Sequence, residues 1–296
     1  MRNYAAEQLS VSLTRLAFEV RRASRHCRPD DVHDLRVAIR RFLACLSIFR
    51  DHFSSRAVKK CRRRLRRVLD LAAEVRNRDV SIELVGQAGA GPRSALFGWL
   101  TETRHSAKEE LVEELCRLNR REFSRRWRAA LELSGNESKE SSGASLDAAV
   151  RYASGELPSL AQEFFKRGRR AAAPSQPPKA LHRFRLATKR FRYEVELFRP
   201  LYGPGLAARL SVLRSVQRHL GEVNDCAAAC ELLRGAPESM VRSGTAAARR
   251  IALLGERRAR AFRLYWNKEV DSPKIEQNWI DYLTRYAGRK PAPRRS

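Results

Sequence analysis

The sequence predicts an all-α protein built as two antiparallel four-helix bundles, related by an internal duplication and a pseudo-two-fold, around a basic central cleft. Three observations predict it. Strand-like alternation is scarce, while long runs carry apolar residues at three-to-four spacing between Gly, Pro and Ser clusters. The chain also repeats itself. A shift of 149 lays His33, Arg36, Ala38, Arg41 and Phe42 on His182, Arg185, Ala187, Arg190 and Phe191, with Arg40 facing Lys189. At 148, Glu74-Val75 meets Glu222-Val223, and at 139, Arg121, Phe123 and Trp127 meet Arg260, Phe262 and Trp266. Finally, Lys and Arg number 60 against 33 Asp and Glu, a net charge of +27. An excess of that size calls for a polyanionic partner or a very high solubility demand.

The periodicity places helices at 4–25, 30–53, 55–76, 79–87, 94–133, 145–168, 178–199, 204–221, 224–234, 238–268 and 275–287. Asp30 or Asp31 after Pro29, Ser94 after Pro92, and Pro178 fit helix starts. The polar stretches SGNESKESSGAS (134–145) and RRAAAPSQPPK (169–179) read as connectors. The first bundle repeat is expected over 1–140 and the second over 141–296, with a disordered basic tail at 289–296.

At 43% hydrophobic residues the chain is too apolar to be disordered throughout. Its six cysteines, Cys27, Cys45, Cys61, Cys116, Cys226 and Cys230, include no CxxC pair, so neither a zinc site nor any other metal is expected. They read as small apolar fillers in a reducing compartment. The first twenty residues lack an apolar signal core, and no apolar run approaches the ~20 residues of a membrane span. The expectation is a soluble, cytoplasmic protein.

The charge concentrates on two helices. With about 100° per residue, Leu35, Ala38, Ile39, Phe42, Leu46 and Phe49 share one face of VHDLRVAIRRF and its continuation. His33, Arg36 and Arg40 lie on the opposite face, with Arg41 on the flank. In LHRFRLATKRFRY, Phe184, Ala187, Phe191, Val195 and Phe198 face the core. His182, Arg185, Lys189 and Arg192 form the opposing stripe, with Arg190 on the flank. A solvated face usually mixes signs, because like charges three or four residues apart repel. Two same-sign stripes at matching positions therefore read as an anion site. Val37, Leu186 and Tyr193 project among the charges, as in a groove wall. Each His precedes an Arg by three residues, so both can donate to a phosphate oxygen. No Ser, Cys or Asp stands at triad spacing, so no catalytic residue is expected. On the following helix, Lys59, Lys60, Arg63, Arg66 and Arg67 are candidates to extend the cleft, and the repeat supports only Arg66, which meets Arg214. The Phe and Trp of LNRREFSRRWR and GERRARAFRLYW fall at core spacing.

VHDLRVAIRRF and LHRFRLATKRFRY, followed by AAEVRNRDV (72–80) and LGEVNDCAA (220–228), resemble the two halves of a CHAD domain, over roughly residues 5–285. Ala73 and Asn77 depart from the Gly and Asp of the family's turn. The resemblance implies two four-helix bundles around a basic central cavity that binds inorganic polyphosphate; with no catalytic constellation in the sequence, neither enzymatic activity nor a cofactor is expected. No E-x-E-x-K strand of the triphosphate tunnel domains often fused to this family is present, so a standalone module is expected, with polyphosphate granules as a plausible address. It implies His33, Arg36, Arg40, Arg41, His182, Arg185, Lys189, Arg190 and Arg192 as ligands. The competing expectation is an RNA or single-stranded nucleic-acid binder using the same surface. It lacks helix-turn-helix, KH and RRM signatures, and aromatic residues make up only 8%.

Overall fold

The computed structural model describes residues 1–133, 139–174, 176 and 178–285. Among them there is no strand. Ten α-helices follow one another: α1 (Arg2–Arg25), α2 (Pro29–Ile48), α3 (Ser55–Gln87), α4 (Ala95–Arg120), α5 (Phe123–Ala130), α6 (Lys139–Ala172), α7 (Pro178–Leu197), α8 (Leu206–Arg234), α9 (Val241–Tyr265) and α10 (Pro273–Arg285). The expected basic tail at 289–296 lies outside the described residues, as does part of the 134–145 connector.

The chain divides into two compact units that interleave along the sequence. One comprises 1–8, 135–221 and 258–296, the other 9–134 and 222–257. The chain passes from one to the other inside α8 and again inside α9.

Several helix ends obey local chemistry. The Ser94 hydroxyl accepts from the Phe97 backbone N–H and caps α4, an interaction worth about 1 kcal/mol. At the start of α2, with Pro29 in its first turn, Asp31 accepts from the Arg28 backbone N–H at 3.0 Å and from the Arg22 side chain at 2.7 Å. Burial pushes the Asp31 carboxyl up, but the hydrogen bonds from Arg28 and Arg22 outweigh it and hold it at about 2.

Three boundaries differ from the expected ones. The turn expected at 77–78 is the interior of α3, and LGEVND lies inside α8. Local polar groups that would favour a turn are engaged elsewhere: Arg78 donates to the Glu74 carbonyl and carboxylate one turn back, and Asp79 accepts from Arg104 at 2.9 Å. Gly221 is a tolerated interior glycine rather than a stop, at a cost of about 1 kcal/mol against Ala. Conversely, the single helix expected over 94–133 breaks at Glu122, whose φ of 45° is left-handed. The break turns Phe123 and Trp127 of α5 into the core, where both are buried.

In the unit spanning 9–134 and 222–257, α2 packs on α3 and α3 on α4. A cluster of Val80, Leu84, Val85, Leu96, Leu100, Cys226, Ala229, Leu233, Ala247 and Ile251 joins α3 and α4 to the end of α8 and the start of α9. Trp127 stacks on Phe42 of α2 with ring centres 5.9 Å apart. In the other unit α6 packs on α7 and α10. There Phe164, Phe165, Phe184, Phe262 and Trp266 form a continuous ring cluster, with Trp266 edge-on to Phe184 at 5.2 Å. Each Trp of the repeated R-x-F-x-x-x-W spacing thus reaches a Phe of its unit's charged helix. The correspondence stops there: Trp266 meets Phe184, whereas the residue aligned with Phe42 is Phe191. The duplication therefore stays a reading of the sequence.

The cysteines are free thiols, four of them buried. Burial pushes Cys61 up to about 12 and Cys45 upward too, so neither is a thiolate near neutral pH. Among the described residues, no helix is long and apolar enough to cross a membrane.

Candidate anion-binding site

The stripes exist because the opposite faces of their helices are consumed by packing. On α2, Leu35, Ala38, Ile39, Phe42, Leu46 and Phe49 are all buried. That fixes the helix rotation and turns His33 and Arg41 outward as exposed residues, with Arg36 and Arg40 half-buried at the edge. On α7, Phe184, Phe191, Val195 and Phe198 are buried as expected, Ala187 is only half-buried, and Thr188 is buried, its hydroxyl returned to the Phe184 carbonyl. His182 and Arg190 are exposed, and Arg185 and Lys189 half-buried. Leu186 is 52% exposed beside them.

The electrostatics at His33 report on the local field. Desolvation comes first in holding its imidazole below the ordinary histidine range, although much of the ring's area is open. The positive charges of Arg76, Arg36 and Arg40 act in the same direction, and Asp34 opposes them. Asp34 is itself engaged by Arg22 at 2.8 Å. A histidine pushed toward neutrality beside three guanidiniums marks a place where positive charge is in excess.

Arg76 was not among the candidates from the sequence. It sits on α3, at the last position of the helix expected over 55–76. Counting outward from the 49–54 connection sets position 70, not 76, opposite His33, so no spacing in the sequence named it. Of the candidates to extend the site, Arg63 and Arg66 line one groove along α3, while Lys60 is not part of its lining. Arg214 is exposed on α8.

Two α7 candidates have carboxylate partners one turn on. Arg190 is 77% exposed and pairs with buried Glu194 at 2.9 Å. Burial raises the Glu194 carboxyl, and the Arg190 hydrogen bond opposes that rise. Arg192 is only 13% exposed, pairs with Glu196 at 3.2 Å and lies 5.1 Å from the centre of the Tyr193 ring. Tyr193, expected among the charges, is buried. Glu194 and Glu196 thus stand at the spacing that forms ion pairs and offset part of the charge of the α7 stripe.

The His33 environment carries a pH prediction. Its pKa is lowered in the folded, ligand-free protein, so the unfolded chain binds more protons there. This group's contribution therefore weakens the fold as pH falls through ~6.5. An anion placed on the stripe reverses the local field, raises the pKa and draws a proton in. Long-polyphosphate binding is expected to strengthen from pH 7.5 to pH 5.5 with net proton uptake, read by calorimetry in buffers of different ionisation heat. His33→Gln should remove most of that uptake. Equal proton uptake in wild type and variant would take His33 out of the site.

Among the described residues, no group of three His, Cys, Asp or Glu side chains is placed to hold a metal ion. The CHAD domain family model matches residues 5–234. The crystal structure of the CHAD domain from the plant Ricinus communis shares 19% identity, covering 96% of this chain and 92% of that one, with a TM-score of 0.59. PptA from Streptomyces chartreusis shares 17% identity over 90% of this chain and 99% of its own, with a TM-score of 0.58. At such identities the likeness is one of fold. No curated protein matches the chain by sequence. With the motif helices, the all-helical architecture and a family match over most of its length in agreement, the chain belongs to the CHAD domain family.

Proposed function

We propose that this protein is a non-catalytic binding module for inorganic polyphosphate, held by the basic stripes of α2 and α7. The observation that carries the reading is the placement of the two stripes: His33 and Arg41 exposed with Arg36 and Arg40 half-buried on α2, and His182 and Arg190 exposed with Arg185 and Lys189 half-buried on α7. Membership in a family known to bind polyphosphate supports the identity of the ligand. The chemistry fits: Arg forks and Lys point charges select a linear anion by charge density, and no base needs a stacking platform. Single-strand binders present exposed aromatics, whereas Tyr193, the aromatic residue in the α7 stripe, is buried. Association with polyphosphate granules in the cytoplasm follows from the same binding.

Competition tests this against nucleic acid. Labelled long-chain polyphosphate is titrated off the full chain with single-stranded RNA at matched phosphate and about 150 mM salt, where the Debye length is ~8 Å. RNA is expected to displace little. Displacement by RNA at or below equal phosphate would reject the reading. Release of orthophosphate that is abolished by His33→Ala or His182→Ala would replace binding with hydrolysis.

A further inference from the structure

The connection after α2 and the first half of α3 wall an open groove of about 980 Å³. Its cationic lining is Arg50, Lys59, Arg62, Arg63, Arg66 and Arg67, with Asp51 and Asp70 as its acids and Val58 and Leu71 among its apolar residues. None of His33, Arg36, Arg40 or Arg41 lines it. Arg67 faces the buried carboxylate of Glu114 at 3.6 Å, which Arg64 also engages at 2.9 Å. Among the described residues, no carboxylate forms an ion pair with Lys59, Arg62, Arg63 or Arg66. Four positive charges are thus left on one groove, at spacings where like charges repel.

Their order along the helix defines what would relieve them. From Lys59 to Arg67 the axis rises ~12 Å, and the lining cations stand about two to each ~5.4 Å turn. A compact anion reaches one or two of them. A linear anion lying along α3 reaches one or more at every turn. The lining holds no aromatic residue, so it offers bases no stacking surface and suits a chain made of phosphates alone.

We propose that the α3 groove is a second binding surface for extended polyphosphate, separate from the α2 stripe, and that it makes the affinity depend on chain length. This rests on the polyphosphate reading above. Short oligomers occupy the stripes alone. Chains long enough to reach the groove as well gain contacts that are intramolecular once the first segment is held.

The test measures tripolyphosphate and long-chain polyphosphate binding to the full protein across a salt series. Wild type is compared with Lys59→Gln/Arg62→Gln and with Arg36→Ala/Arg185→Ala. Neither Lys59 nor Arg62 belongs to the stripes of α2 and α7, and thermal melts verify folding. The groove variant should bind long chains about tenfold more weakly, with a log–log salt slope shallower by about 1.4, two contacts at ~0.7 each. Its tripolyphosphate affinity should change less than twofold. Wild-type long-chain affinity and slope in the groove variant, with loss in the stripe variant, would overturn the second surface and leave the polyphosphate reading standing. Equal weakening for both chain lengths would overturn it too, as would a loss confined to RNA binding. Failure of the wild type to bind either phosphate chain would instead remove the polyphosphate reading itself, and this inference with it.

Discussion

Gly168→Ala is expected to unfold this protein several degrees below wild type, whereas Gly155→Ala, on the same helix, should raise its stability. Both glycines lie within α6. A Cβ on Gly155 meets nothing within 4 Å, so the change only recovers helix propensity, about 0.5–1 kcal/mol. A Cβ on Gly168 would stand 1.9 Å and 2.0 Å from two carbons of the Trp266 indole. Trp266 is fully buried and held by Phe164, Phe165, Phe184 and Phe262, so the ring has nowhere to go. Overpacking of this kind costs ~1–3 kcal/mol and sometimes more. With the ring clamped we expect the upper end, ~3 kcal/mol, and a midpoint lower by roughly 5–10 °C. Differential scanning calorimetry of the two single variants reads both signs. A double variant with Trp266→Leu should cost less than the sum of its parts. A neutral Gly168→Ala would mean that the indole does not lie against the α6 backbone.

That contact shows where sequence reading reached its limit. The buried face of α2 was legible because six apolar residues at helical spacing leave one rotation, and burial of all six followed. The Trp266 position was legible as core, from the spacing of Arg260, Phe262 and Trp266. Its dependence on a glycine about a hundred residues earlier was not, because close approach between two helices leaves no local trace. The turn expected at 77–78 is helix for a different reason. Asn and Asp favour turns when their side chains bond to nearby backbone, but Asp79 is occupied by Arg104, a residue of α4. Conversely, the break at Glu122 has no glycine or proline to announce it. The burial of Phe123 and Trp127 outweighs a left-handed backbone position that costs about 1–2 kcal/mol.

Replacing Arg36 and Arg185 together by Ala is expected to weaken long-polyphosphate binding by about a hundredfold at moderate salt. Each charge-assisted hydrogen bond to phosphate nets ~1.5–3 kcal/mol, so losing two costs ~3–6 kcal/mol before compensation. Part of that is recovered. In the ligand-free protein these guanidiniums stand among like charges, Arg36 beside Arg40 and Arg185 beside Lys189, and removing one relieves the repulsion on the rest. Two lost contacts should also make the log–log salt slope shallower by about 1.4. The conservative pair Arg36→Lys/Arg185→Lys separates charge from geometry. It keeps the charge, so the slope should stay at its wild-type value, while the loss of the planar fork should cost roughly tenfold in affinity. Polyphosphate at a hundredfold excess over Kd should add ~2.7 kcal/mol to the wild-type fold, and a smaller increment to the Ala pair at the same concentration. Wild-type affinity and slope in the Ala pair would move the site off α2 and α7. A Lys pair as weak as the Ala pair would show that fork geometry, rather than charge density, selects the ligand.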